Sequence, residues 1–149
     1  MRSAVLLVLT GLLMHSASAE PAAAGVFQRF NLLGTWAVDC RKPASPQNPF
    51  VSDMLQDGGA VVEEQHLGPD YAVNHYRVMA AEALSDKRVS LTVMFHPGTD
   101  DAQQQRLVVH VWDSHRRTLF NQPEGEAVLV NNGVVVGAGF KTPTLTKCK

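Results

Sequence analysis

Apolar and polar residues alternate most strictly in RVSLTVMFH, residues 88–96. Val89, Leu91, Val93 and Phe95 fall on one side; Arg88, Ser90, Thr92, Met94 and His96 fall on the other. A period of two sustained over this run predicts a half-buried strand. RLVVHVW, residues 106–112, repeats the pattern, with Leu107, Val109 and Val111 opposed to Arg106, His110 and Trp112, and with Val108 as the exception. YAVNHYRVMAAEAL, residues 71–84, alternates at first and then becomes the helix-forming VMAAEAL. It is read as one long strand broken by a bulge, with a short second-half helix as the alternative.

Between such runs the punctuation is regular. QDGG (56–59), GPD (68–70), SDK (85–87), PGTDD (97–101), DSHRR (113–117), QPEGE (122–126) and NNG (131–133) all read as turns. A spacing of about ten residues is the rhythm of an antiparallel sandwich or barrel. Asn132-Gly133 is the strongest hairpin signal, because a type I′ turn needs positive φ at both central residues. RKPASPQNP (41–49) has three prolines and reads as a long surface loop, since proline suits neither helix interior nor central strand. EPAAAGV (20–26) reads as a loose lead-in, and FQRF (27–30) as a single helical turn. The sum is an all-β chain, an antiparallel up-and-down β-barrel of about eight strands.

One region departs from alternation. AVLV and VVVGAGF, on either side of Asn131 to Gly133, are apolar on both faces. A strand buried on one side only should alternate. The outer face of this hairpin is therefore expected to be covered, by VFQRF or by another chain, and a homodimer through Ala127–Phe140 is one way to do it. Gly137 and Gly139 are read as strand glycines at a bulge or a close backbone approach.

The amino end changes the picture of where the protein works. Arg2 precedes the apolar AVLLVLTGLLM (4–14), and small residues at Ala17 and Ala19 stand at the positions a signal peptidase reads. This predicts a signal peptide over residues 1–19, cleavage before Glu20 and one domain over residues 20–149. A second small-residue site precedes Gly25. No Cys follows the apolar stretch to accept a lipid, so no membrane anchor is expected after cleavage. The chain carries 13 basic and 14 acidic residues, formal charge −1, which leaves no nucleic-acid footprint.

Export also gives the two cysteines a role. In an oxidising compartment Cys40 and Cys148 are expected to form a disulfide rather than a metal site. The bond would join the first strand to the last, the closure expected of a barrel. Such a long loop is worth about 4–5 kcal/mol on chain entropy alone, less any native strain.

GTW (Gly34, Thr35, Trp36) at the start of the first strand resembles the G-x-W feature of the lipocalins and their calycin relatives. The longer segment GTWAVDCRKPASPQNP, with the terminal TKC, resembles a group of small exported bacterial proteins. The calycin resemblance implies a barrel whose base is plugged by Trp36, with a basic residue from near the last strand, Lys141 or Lys147, packed on it. It also implies a ligand in the barrel or, as in calycin-type protease inhibitors of similar size, a protein partner.

No catalytic constellation is visible. His66, His75, His96, His110 and His115 show no tight ligand spacing, so no metal is expected. There is no nucleophile elbow and no phosphate-binding loop, so no cofactor is expected. Glu63-Glu64 and Asp100-Asp101 read as solvated charge, and His115-Arg116-Arg117 as a basic hairpin tip. The expected function is non-enzymatic: a periplasmic or secreted, lipocalin-like binding protein carrying a small apolar or amphipathic ligand. Trp36, Trp112 and Phe95 are the candidate contacts. The alternative is an interaction module such as an exoprotease inhibitor, acting through residues 20–31 or through loops.

Overall fold

The computed structural model describes residues 19–149. The expected signal peptide over residues 1–19 lies, but for Ala19, outside the described residues. A helix α1 (Ala19–Arg29) precedes ten strands: β1 (Gly34–Ala37), β2 (Phe50–Leu55), β3 (Val61–His66), β4 (Asn74–Ala83), β5 (Arg88–Phe95), β6 (Gln103–Trp112), β7 (His115–Pro123), β8 (Val130–Asn131), β9 (Val134–Val135) and β10 (Leu145–Lys147). Each strand from β1 to β7 pairs antiparallel with the next, and β10 pairs with both β7 and β1. These eight strands form a closed antiparallel barrel, which leaves no free edge among them. The β8–β9 hairpin hangs from the far half of β7 through the Asn121–Val130 pair.

The alternation seen in the sequence sets the inward rows. Val89, Leu91 and Val93 of β5 are buried, as are Val109 and Val111 of β6. β4 is one strand with its register shifted between Val78 and Ala80, the bulge that the mixed pattern calls for. The Asn132-Gly133 turn has φ of 49° and 71°, matching type I′. Cys40 and Cys148 are bonded across a sequence separation of 108, tying the end of β1 to the end of β10.

Three expectations are corrected. Residues 20–26 are helical rather than loose, and α1 continues from them through Arg29. Pro21 is tolerated in the first turn, where its missing N–H has no intrahelical partner. The helix ends in a Schellman motif: Asn31 takes φ 52°, Leu32 N donates to Phe27 O at 2.8 Å, and Asn31 N donates to Gln28 O at 3.1 Å. Ala23, Phe27 and Leu32 are at most 1% exposed, so α1 is a plug packed on β4 and β3.

Second, the hairpin strands beyond Asn131 are short. Gly137 and Gly139 have φ of 83° and 74° with open space where a Cβ would stand, so they are turn residues. Nothing among the described residues covers this segment: Leu129, Val136 and Phe140 are exposed, and α1 lies elsewhere. Third, only Asp113 and Ser114 make the turn between β6 and β7, so His115, Arg116 and Arg117 belong to a strand. The proline-rich segment is a loop as expected, organised from within by Asn48, 7% exposed. Its amide donates to the carbonyls of Asp39, Lys42 and Pro43 and accepts from Asp39 N.

Candidate functional site

The two ends of the barrel interior are filled differently. At the α1 end Trp36 is fully buried and donates its indole N–H to Leu32 O at 2.8 Å. Lys147 places its ammonium 5.3 Å from the Trp36 ring centroid and donates to Asn31 O at 2.8 Å and Asn31 Oδ1 at 2.6 Å. Of the two lysines the resemblance offered, Lys147 is the one on the tryptophan. Gly34 makes room for it: φ there is 116°, and a Cβ would meet Lys147 Cε at 3.2 Å.

On Trp36 also lies a second cation, Arg116, 5.4 Å from the ring centroid. Arg116 rises from β7, points inward and crosses the lumen to the far wall. Its Nη1 donates to Asp53 on β2, and its Nη2 donates to Glu63 on β3 at 3.1 Å. The guanidinium side chain is 9% exposed and the Asp53 side chain 0%. Burial, reinforced by the charge of Glu63 and opposed by Arg116, pushes the Asp53 carboxyl well above the usual carboxylate range. Burial, then Glu63, likewise pushes the Tyr76 phenol up. Removing one partner of such a cluster costs about 3–5 kcal/mol, because the remaining charges stay buried.

Beyond this strut the interior is open. A cavity of about 220 Å³ has apolar walls from Val51, Val78, Leu91, Val93, Leu107 and Val109. Its polar lining comes from Glu63, Gln65, Tyr76, Asn121, Thr118 and Thr142 with two arginines, Arg116 and Arg117, and Asn121 Oδ1 is buried without a hydrogen-bond partner. Inward residues nearer α1, such as Val61, Val89 and Val111, do not line it, so Arg116 divides the lumen into a packed layer and a hollow one.

The three residues singled out from the sequence are dispersed. Trp36 lies beneath Arg116 rather than on the cavity wall. Trp112 is on the outer face of β6, its ring 4.7 Å from His110 and 5.6 Å from His115. Phe95 ends the inward row of β5, 5.1 Å from Tyr76 and 3.8 Å from His96, ring to ring. The residues that do build the site were read as surface: Glu63 as solvated charge and Arg116 as a hairpin tip. A signal was present in their parity, since Asp53 falls in register with Val51 and Glu63 with Val61.

Two histidines left apart by the sequence share one carboxylate. His66 Nε2 and His75 Nδ1 each lie 3.5 Å from Glu64 on the outer face. Among the described residues no three such side chains are arranged to hold a metal ion.

The closed eight-stranded antiparallel architecture is compatible with the calycin class of barrels. No protein-family model, curated protein or solved structure matches the chain. The disulfide belongs to an oxidising, non-cytoplasmic compartment. No helix among the described residues is long and apolar enough to cross a membrane.

Proposed function

We propose that this is an exported, non-enzymatic binding protein that holds a small amphipathic molecule inside the barrel, in the periplasm or secreted. The observation that supports this reading is the cavity above Arg116, apolar on its walls and polar at a few fixed points, the usual make-up of a ligand site. Size narrows the ligand. An engineered apolar cavity of roughly 150 Å³ holds benzene, and drug-sized ligands occupy roughly 300 Å³ or more. About 220 Å³ therefore suits a single ring or a short chain, and a full-length fatty acid is too large.

Benzyl alcohol is a fitting probe. At millimolar concentration it should raise the melting temperature in proportion to its occupancy, and Val93→Phe, which fills the cavity, should abolish the rise. Absence of both a stability shift and a calorimetric heat in the wild-type protein would overturn ligand carriage.

A protein partner is the second reading, favoured by the exposure of Leu129, Val136 and Phe140 beside the β8–β9 hairpin. With Ala23 and Phe27 buried in α1, such a partner would meet this segment rather than residues 20–31. Sedimentation at high protein concentration tests the homodimer form of that reading, and a monomer at every concentration would exclude it.

A further inference from the structure

We infer that the outer face of the barrel carries a second site, for an amphipathic anion: a carboxylate held by Arg88 and Arg106, its hydrocarbon chain laid on Val108, Leu119 and Phe120. Outward positions on a solvated antiparallel wall are ordinarily polar. Val108, the residue that breaks the alternation of β6, faces outward in register with Ser90 on one side and Phe120 on the other. The register shift at Val108 and Val109 leaves Leu119 as an extra residue in β7, a bulge that brings both Leu119 and Phe120 to this surface. With Leu84 and the hairpin tip at Asn131 and Asn132 they form a groove of about 400 Å³. None of its residues lines the interior cavity, so the two sites are separate.

The charge in this groove is of one sign. Arg88 stands opposite His110 and Arg106 opposite Thr92, so the two arginines flank Val108 along the sheet. Both are exposed and both line the groove. Arg106 lies over the Phe120 ring, 5.7 Å from its centroid, and among the described residues neither arginine has an ion-pair partner. Glu82 opposite Ser90, Asp86 in the β4–β5 turn and Glu124 beside Gln104 border the groove without lining it. Guanidinium groups offer only donors, in a planar fork that fits a carboxylate. Salt screens such exposed charges, so the charge alone would hold an anion weakly. Burial of the chain on the apolar floor supplies the remainder.

The test is a methyl-resolved NMR titration of the wild-type protein at neutral pH and low salt, with octanoate, 1-octanol and octylamine as probes. Octanoate should shift the methyls of Leu84, Val108 and Leu119, at a concentration at least about tenfold below that needed for 1-octanol. Octylamine and acetate should leave them unmoved, and added sodium chloride should weaken the octanoate response. The double variant R88Q/R106Q should lose the tenfold advantage. Its Val93 and Leu107 methyls should still respond to benzyl alcohol as in the parent, which checks the fold and the interior site together. Equal response to octanoate and 1-octanol, octanoate shifts only at Val93 and Leu107, or an unchanged octanoate response in the double variant would each overturn the outer site and leave the cavity reading intact. A response of the outer methyls to anionic vesicles but not to free octanoate would also overturn it, in favour of a membrane-facing surface.

Discussion

At the α1 end of the barrel, Trp36, Phe27 and Leu32 are at most 1% exposed, the two ends of the chain's fold are joined by Cys40–Cys148, and Lys147 locks Asn31 to the last strand. At the other end the inward rows of β5 and β6 surround open space, and the hairpin segment beyond β7 leaves Leu129, Val136 and Phe140 in solvent. Arg116 is the boundary between them. A small domain can keep a void in its core only if stability comes from elsewhere, because interiors are normally close-packed. Here the plug and the staple supply it.

That contrast can be broken from the packed side first. Trp36→Ala should cost about 3–5 kcal/mol, the range for a large buried aromatic, read as a lower urea midpoint. Arg116→Met should cost a similar ~3–5 kcal/mol by leaving the buried Asp53 and the half-buried Glu63 without their cation. The same cluster makes stability depend on pH. Asp53 holds its proton in the folded chain where an unfolded carboxyl, near 3.8, has lost it. Its contribution is therefore complete below about pH 4 and declines as pH rises through the elevated folded-state value. Asp53→Asn should flatten that decline in denaturation curves taken across the range.

Cys148→Ser should cost about 2–5 kcal/mol, and alkylation of the native wild-type protein should find no reactive thiol. The smallest effect is expected on the exposed side. Phe140→Ser should stay within about 0.5 kcal/mol of the parent, measured by the same urea titration. A larger loss would mean that the hairpin segment is covered in solution.

The packed and hollow halves also differed in how far the sequence announced them. Strands were legible wherever apolar residues alternate, as in β5, and the Asn132-Gly133 turn and the cysteine pair were legible because each has one dominant structural use. The plug was not, because α1 buries a stripe of small residues interrupted by Pro21 and Gly25, which carries little periodic signal. Its termination by Asn31 and Leu32 depends on backbone geometry that no single residue type reveals. The strut was missed for a different reason. Asp53, Glu63 and Arg116 sit at inward positions by parity, yet a charged residue in a strand is ordinarily on the solvent face. Only the closure of the barrel brings β7 opposite β2 and β3 and turns three apparent surface charges into one buried cluster. The β8–β9 segment was legible in part: of the two covers its apolar residues predicted, VFQRF does not provide one, since α1 packs on β3 and β4.

The central proposal is that the space above Arg116 receives a small ligand. Methyl-resolved NMR during a titration with benzyl alcohol tests it most directly. Shifts should concentrate on the methyls of Val93, Leu107 and Val109, which line the cavity, and leave Leu32 and Val61 at the plugged end unmoved. Shifts confined to Leu129 and Val136, or an unchanged spectrum at saturating probe, would contradict it.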